Sequence, residues 1–245
     1  MKTTRIILAL LLTISLSLAL FGCTENQTAE DTTAPITEET ETEPAPAYDY
    51  LVLVNKQNKL PDNWEEVVQL EDSVNRYGET YQVEKTALAA FYELQKDLLD
   101  NDGIIIELDS TYRSVKRQQE IWDEFEAEKG LEYAQKYVAV PGYSEHHTGL
   151  AIDICIEKDG VRIDDNDDMI AEKEIFAKIH AKLADHGFIL RYLEGRDDIT
   201  GYAYEPWHFR YVGVDAAKEI MSKGITLRNI LTPCPKRQNN IVNTL

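Results

Sequence analysis

Two short segments carry side chains that could hold a metal ion. In SEHHTGLAID, His146 and Asp153 are seven positions apart, and Gly149 between them lets the chain turn so that both can converge on one point. In YEPWHFRYVG, Glu205 and His208 lie three positions apart at the mouth of a predicted strand. A catalytic zinc site needs three protein ligands and one open position. The segments offer two histidines and an aspartate as ligands, with a glutamate left to accept a proton.

A third segment, STYRS, places Arg113 just after another predicted strand. A fixed guanidinium can stabilise the oxyanion that forms when water attacks an amide carbonyl. Each segment also has a simpler interpretation. His146 could be a hydrogen-bonded loop residue, Asp153 a turn former and His208 a packed core residue, while Glu205 and Arg113 could form an ion pair. The combination of ligands, base and oxyanion partner at three strand ends favours a zinc hydrolase.

The remaining histidines are expected to lie outside the site. His147 is adjacent to His146, and neighbours on an extended chain point to opposite faces, so we expect His147 to be a bystander. His180 and His186 fall on a predicted amphipathic helix and are interpreted as structural.

Short strands must position these side chains. The pattern predicts strands over 50–55, 104–110, 150–157 and 207–213, with a short partner at VRI. It predicts helices over 83–100, over 114–130 with Ser114 as N-cap, over 172–188, and over 215–224 with Asp215 as N-cap. Because these elements show no regular βαβ repetition, we expect a single α+β domain with a small antiparallel sheet flanked by helices and the zinc site at the strand ends.

The N-terminus is typical of an exported chain. Lys2 and Arg5 precede an apolar run over 6–21, and Gly22-Cys23 ends it. The LFGC ending resembles a bacterial lipobox, which predicts a signal peptide over 1–22 and a lipid on Cys23; an uncleaved N-terminal anchor is the alternative. Residues 23–47 are rich in Thr, Glu and Pro and predict a disordered acidic tether, leaving 48–245 as the catalytic domain.

The net charge and the cysteines each argue against one kind of binding site. The chain has 44 acidic and 25 basic residues, a formal net charge of −19, which argues against nucleic acid as a ligand. Cys155 lies in the apolar run AIDICI and is expected in the core, while Cys234 lies near the C-terminus. Two well-separated cysteines form neither a zinc site nor a disulfide framework. We expect a monomer, although the sequence leaves oligomeric state and the pairing of Cys155 with Cys234 open.

Three segments together resemble the motif blocks of a known family. STYRSVKRQ, PGYSEHHTGLAIDI and GYAYEPWHFRYVG are similar, in order, to those of the VanY-type zinc D-alanyl-D-alanine carboxypeptidases, which belong to the LAS-type peptidoglycan peptidases. LVLVNKQNKLP resembles the segment that opens their catalytic domain, so the resemblance covers residues 50–214. It implies a cell-wall enzyme that removes the terminal D-alanine from peptidoglycan stem peptides. The lipobox separately predicts that this enzyme is lipid-anchored to the outer face of the cell membrane, facing the cell wall.

The resemblance also implies residue roles and one zinc ion per chain. His146, Asp153 and His208 would bind zinc, Glu205 would act as general base and acid, and Arg113 would polarise the carbonyl. Four further positions would contact substrate or line its pocket: Gln118, Ser144, Tyr202 and Trp207.

Other functions were weighed against this one. Serine enzymes that act on the same substrate need S-x-x-K, which the chain lacks, since SVKR and STYR carry arginine at the fourth place. An L,D-carboxypeptidase acting on tetrapeptide stems shares the same motifs and stays open. A wall-binding module that keeps zinc without catalysis is a third possibility, against which the presence of Glu205 and Arg113 argues.

Overall fold

A five-stranded antiparallel sheet forms the centre of the structure, with the strand order β3-β4-β7-β6 and β5 paired to β4. The computed structural model describes residues 48–231, which lie in one unit. The sheet strands are β3 Ile105–Ser110, β4 Ala151–Lys158, β5 Val161–Ile163, β6 Phe188–Leu190 and β7 His208–Tyr211. A separate antiparallel hairpin joins β1 Leu70–Val74 to β2 Thr80–Glu84. The predicted α+β class with an antiparallel sheet is confirmed.

Helices flank this sheet within residues 48–231. They are α1 Trp64–Val67, α2 Lys85–Asp102, α3 Val115–Lys129, α4 Leu131–Tyr137, α5 Asn166–Ala171, α6 Lys173–Leu183, α7 Asp197–Thr200, α8 Val214–Lys223 and α9 Leu227–Leu231, with 3-10 helices at Glu145–Thr148 and Ala184–His186. The predicted N-cap of α3 is confirmed, since Ser114 Oγ accepts from the Arg117 amide at 3.0 Å. Helix α2 ends at Asp102, two residues beyond the predicted range, where Gly103 adopts the left-handed conformation.

The hydrophobic core lies between the sheet and the two long helices α2 and α6. Strand β4 is apolar along most of its length, and most of its side chains are buried. Ile152, Ile154 and Ile156 have no exposed surface. Phe91 of α2 and Ile179 of α6 pack in the same cluster. Each such side chain contributes roughly 1.5–3 kcal/mol by leaving water. Cys155 is also fully buried, as predicted. This core holds β4 rigidly at the point where it carries Asp153.

The predicted strand over 50–55 is wrong. The side-chain Oδ1 of Asn55 accepts from the amides of Gln57 and Asn58, both at 2.9 Å, and this turns the chain. The carbonyls of Tyr50 and Val52 accept from Arg210 Nη2 at 3.1 and 2.7 Å instead of joining a ladder. The buried side chain of Arg210 thus binds carbonyls that a neighbouring strand would bind in a sheet.

The predicted N-cap of the last long helix is also wrong. Helix α8 begins at Val214 with Gly213 as its N-cap and no side-chain cap bond. Asp215 therefore lies inside the first turn, where its carboxylate still interacts favourably with the helix dipole.

Several predicted features lie outside the described residues. These are the signal peptide, the lipidation site Cys23, the acidic tether and Cys234, which fall in residues 1–47 and 232–245. Within residues 48–231 no helix is both long and apolar enough to cross a membrane.

Candidate metal centre and active site

The sheet register brings two of the proposed ligands directly opposite each other. Asp153 on β4 pairs with His208 at the start of β7, and on its other side it pairs with Ser110 at the end of β3. His146 lies in the 3-10 helix that precedes β4, and Gly149 turns the chain between them with φ of 73°. Three strand ends and one short helix therefore converge, as the sequence predicted.

The three ligand groups are close enough to bind one ion. His146 Nε2 lies 3.2 Å from Asp153 Oδ2, and His208 Nδ1 lies 2.8 Å from Asp153 Oδ1. One donor atom from each residue falls within 4.8 Å of the others. Bonds of 2.0–2.1 Å in tetrahedral geometry place zinc ligands roughly 3.3 Å apart. The spacing therefore fits zinc.

His146 Nε2 and Asp153 Oδ1 are both free to bind a metal ion. His146 Nδ1 lies 2.8 Å from the carbonyl of Thr111, which can only accept, so the proton sits on Nδ1 and Nε2 keeps its lone pair. Asp153 Oδ1 is buried and makes no hydrogen bond despite its short distance to His208 Nδ1. Two buried polar atoms that face each other without a hydrogen bond are suited to share a cation.

The electrostatics of the cluster favour positive charge. Burial opposes ionisation of Asp153, but His146 and His208 outweigh it and hold its pKa well below the usual range. Burial also opposes charge on His208, yet Asp153 raises the pKa of that imidazole to about 10 in the metal-free protein. Burial lowers the pKa of His146. The carboxylate thus stabilises a positive charge between the strand ends, the place a metal cation would take.

Glu205 lies beside this cluster without belonging to it. Its Oε2 is 3.8 Å from His208 Nδ1, and its side chain is 28% exposed. Burial raises the pKa of Glu205 to about 7. Its amide donates to the carbonyl of Tyr192, and its own carbonyl accepts from the His208 amide, both at 3.2 Å. A cavity of about 480 Å³, lined by Glu205, Tyr202 and Lys56 among others, gives access from solvent.

Arg113 is fixed by two side chains. Its Nη1 donates to Gln118 Oε1 at 2.8 Å and its Nη2 to Ser110 Oγ at 3.0 Å. Gln118 is fully buried and donates to the carbonyl of Ala139 at 2.8 Å. In this state Gln118 orients Arg113, and its predicted contact with substrate stays a prediction. Among the described residues no ion pair joins Arg113 to Glu205, so that alternative is not realised.

The other three histidines are structural, as predicted. His147 Nδ1 donates to the carbonyl of Arg113 at 2.6 Å and its Nε2 accepts from the Gly142 amide at 3.0 Å, so neither nitrogen can bind a metal. His180 Nε2 lies 2.9 Å from the carbonyl of Pro206, and His186 Nε2 lies 3.0 Å from Asp97 Oδ2. His147 thereby braces the segment that carries Arg113.

The remaining predicted substrate residues occupy different surroundings. Tyr202 lines the cavity beside Glu205, and the Lys56 ammonium lies 4.7 Å above its ring. Ser144 is 5% exposed and immediately precedes the 3-10 helix with His146. Trp207 is 8% exposed and packs in the main core. Their contacts with substrate stay predictions.

Sequence reasoning missed a buried charge cluster behind the metal ligands. It consists of Glu145, Arg191 and Arg210, whose side chains are at most 2% exposed. The available signal was the presence of arginine within the apolar strand runs FILRY and HFRYV. A charged residue at a core position needs a buried partner, and Glu145 beside His146 is that partner.

Comparisons with known proteins agree with this geometry. Residues 80–214 match the family model of VanY, described as D-alanyl-D-alanine carboxypeptidase. A D-alanyl-D-alanine carboxypeptidase of Enterococcus faecalis (strain ATCC 700802 / V583) is 37% identical over 190 residues, which are 74% of this chain and 65% of that protein. The chain thus spans just under two thirds of the length of this curated relative.

Two solved structures are similar in fold and sequence. One is a vancomycin-resistance D,D-pentapeptidase VanY from a VanB-type cassette in complex with Zn(II), with TM-score 0.59 and 34% identity over 75% of this chain and 99% of that one. The other is the LD-carboxypeptidase LdcB, with TM-score 0.63 and 36% identity over 73% of this chain and 83% of that one. The chain therefore belongs to the VanY D-alanyl-D-alanine carboxypeptidase family.

Proposed function

We propose that the protein is a zinc-dependent carboxypeptidase that removes the C-terminal D-alanine from peptidoglycan stem peptides ending in D-Ala-D-Ala. The observation that carries the proposal is the convergence of His146, Asp153 and His208 within 4.8 Å, with the carboxylate of Glu205 beside them. Family membership supports the substrate class, and the zinc-bound VanY neighbour supports the metal.

One zinc ion per chain would be held by His146 Nε2, His208 Nδ1 and a carboxylate oxygen of Asp153. Bound there, zinc would acidify a water molecule and polarise the scissile carbonyl. Glu205 accepts a proton from the attacking water and later returns it to the leaving nitrogen of D-alanine. Arg113, fixed by Gln118 and Ser110, donates to the oxyanion as it develops. Tyr202 forms a wall of the cavity through which the peptide enters.

Peptide hydrolysis tests this function directly. The purified protein, with its metal content recorded, is incubated with one stem peptide ending in D-Ala-D-Ala and one ending in a single D-Ala, with and without chelator. We expect chelator-sensitive loss of one alanine from the first peptide, detected by mass spectrometry. No loss from either peptide by the zinc-bound protein would contradict the proposal and favour a zinc-containing module without catalysis.

Glu205→Gln separates proton transfer from metal binding. The amide cannot accept a proton, so we expect loss of turnover with zinc content unchanged, because Glu205 lies outside the ligand set. Glu194→Gln is the matched control, since Glu194 is an exposed glutamate that is not among the residues lining the cavity. If Glu205→Gln retained the wild-type rate, the role of Glu205 as general base would be wrong.

L,D-carboxypeptidase activity is the second candidate. The similarity to LdcB, an LD-carboxypeptidase, is as high as the similarity to VanY. Chelator-sensitive loss of alanine from the peptide ending in a single D-Ala would assign this activity, and loss from the first peptide alone would exclude it.

We further propose that a lipid on Cys23 anchors the protein to the outer face of the cell membrane, with residues 23–47 as the tether. The support is the apolar run ending in LFGC, followed by a segment rich in Glu, Thr and Pro. We expect Cys23→Ser to release the protein from the membrane fraction and to abolish labelling by radioactive palmitate. Membrane retention of that variant would instead indicate an uncleaved N-terminal anchor.

A further inference from the structure

A buried carboxylate lies directly behind one of the metal-ligand candidates. Oε1 of Glu145 accepts from Arg191 Nε at 2.7 Å and from Arg210 Nη1 at 3.0 Å. Its other oxygen, Oε2, lies 3.5 Å from His208 Nε2. Both of these last two atoms are buried and make no hydrogen bond with any described residue. At this distance each can serve as the partner of the other.

Two buried arginines hold this carboxylate in place. The guanidinium groups of Arg191 and Arg210 both donate to Oε1 of Glu145, and all three side chains are at most 2% exposed. Arg210 is itself anchored by the carbonyls of Tyr50, Val52 and Tyr211. The carboxylate is therefore paired with two cations and fixed in position.

Stability alone is a weak reason for such a cluster. Burying an ion costs several kcal/mol even when it is paired, and apolar replacements of buried ion pairs are often as stable. Here three charged side chains are buried where a core of apolar residues would suffice. Their placement against His208 suggests a role in the site.

In the metal-free protein both ring nitrogens of His208 face a carboxylate: Nδ1 lies 2.8 Å from Asp153 Oδ1 and Nε2 lies 3.5 Å from Glu145 Oε2. Because a carboxylate can only accept, a cation bound to Asp153 and Nδ1 would leave the proton of neutral His208 on Nε2, beside Glu145. His146 is oriented in the equivalent way by the carbonyl of Thr111. Each histidine of the candidate centre thus has one partner that selects its tautomer, and for His208 that partner is charged.

We propose that Glu145 is a positioning residue that holds His208 with its proton on Nε2 and its Nδ1 directed at the metal, while Arg191 and Arg210 balance its charge. This inference rests on the proposed zinc site. Glu145 is not itself a ligand, since Oε1 is used by two arginines and Oε2 faces the Nε2 side of the imidazole.

Two variants of the full-length protein test it. Glu145→Gln keeps the shape of the side chain but removes its charge, while Glu84→Gln removes the charge of another buried glutamate, one that caps α2 and lies outside the cluster of Glu145, Arg191 and Arg210. Zinc affinity is measured by competition with a chromophoric chelator, and the absorption bands of the cobalt(II)-substituted proteins report ligand geometry. Thermal unfolding of the metal-free proteins tests whether both variants are folded.

We expect Glu145→Gln to weaken zinc binding about 10- to 100-fold and to shift the cobalt(II) bands, as loss of the partner of a ligand histidine typically does. Glu84→Gln should change zinc affinity less than about threefold, because Glu84 is not a partner of a ligand histidine. Equal weakening in both variants would reduce Glu145 to a structural role and overturn the inference, as would unchanged affinity in Glu145→Gln.

If Glu145→Gln does not fold, Glu145→Asp replaces it. The shorter side chain keeps the charge for the arginines but withdraws from His208, so the same loss of zinc affinity is expected. The outcome is independent of the peptide assay. Tight zinc binding that depends on Glu145, without hydrolysis, would support this inference and contradict the proposed function; hydrolysis with zinc affinity independent of Glu145 would do the reverse.

Discussion

At the scale of single residues, the site is defined by which atom of each side chain is free. The carbonyl of Thr111 occupies Nδ1 of His146, and Glu145 Oε2 lies 3.5 Å from Nε2 of His208, while both nitrogens of His147 are engaged. Adjacent histidines of the same motif therefore differ in which ring nitrogens are free, because of their hydrogen bonds and not their residue type. The surroundings also distinguish the carboxylates. Burial raises the pKa of Glu205, whereas neighbouring positive charges lower the pKa of Asp153 and of Glu145.

Activity should depend on the protonation of Glu205. Burial raises its pKa to about 7 in the metal-free protein, and a bound cation favours the carboxylate and moves the midpoint downward. Since only the ionised form accepts a proton, we expect kcat/KM to fall as the pH decreases from about 8 to about 5. The check is a pH profile of peptide hydrolysis at constant zinc occupancy. A flat profile across this range would contradict the assignment.

Removal of the Arg113 guanidinium should affect turnover and not metal content. Loss of one oxyanion donor typically lowers kcat by about 10²- to 10³-fold. We expect this for Arg113→Ala, with zinc bound as in the wild type. Arg117→Ala is the control, because Arg117 is exposed and forms ion pairs with Glu120 and Glu124. A comparable loss in both variants would show that Arg113 acts through general electrostatics or folding.

At the scale of elements, the segment from the 3-10 helix into β4 depends on one glycine. Gly149 has φ of 73°, its carbonyl accepts from the Glu84 amide at 2.9 Å, and a Cβ there would lie 2.8 Å from Leu70 Cδ2 and 3.3 Å from the Glu84 nitrogen. The β1–β2 hairpin thus packs against the turn that separates His146 from Asp153. Sequence analysis explained this glycine by turning alone; the close approach of the hairpin is a second reason.

Gly149→Ala should therefore cost more stability than a glycine substitution in open space. Gly160 is the matched control, since its φ is 77° and nothing lies within 4 Å of its Cβ position. We expect Gly160→Ala to lower the free energy of unfolding by about 1–2 kcal/mol through backbone strain alone. Gly149→Ala adds a steric clash and should lose a further 1 kcal/mol or more, roughly. Urea unfolding of both variants measures the difference, and equal losses would contradict the packing argument.

At the scale of the whole molecule, Arg210 links the metal centre to the first described residues. Its side chain contacts Glu145 behind His208 and also binds the carbonyls of Tyr50 and Val52. Tyr48 adds a hydrogen bond from its hydroxyl to the carbonyl of Thr148 at 2.8 Å. The segment over 48–54 is thus part of the folded domain and supports the site from behind, although it forms no strand.

Truncation locates the functional start of the domain. A chain that begins at Tyr48 keeps these contacts and should hydrolyse peptide like the full-length protein. A chain that begins at Asn55 leaves Arg210 without two buried carbonyl partners, which costs about 1–3 kcal/mol for each. We expect a lower unfolding midpoint and weaker zinc binding in the shorter chain. Equal stability of the two would show that the segment is dispensable.

The sequence by itself determined the candidate ligands, the candidate general base and the class of fold. His146, Asp153 and His208 could be found because turn and strand signals surround them, and the long helices because their apolar spacing is regular. These signals are local. The strand over 50–55 was mispredicted since its β-branched composition gave no sign that Arg210 would bind its carbonyls.

Only the tertiary structure decided which atoms face the metal and what holds them. The contact between Glu145 and His208 joins positions far apart in the chain, as do the bonds from Arg210 to the carbonyls of Tyr50 and Val52. Sequence analysis distinguished His147 from His146 by assuming an extended chain, but both lie in a 3-10 helix, and their hydrogen-bond partners are what leave His146 Nε2 free and engage both nitrogens of His147. Such assignments depend on burial and hydrogen-bond geometry, which arise when distant segments pack together.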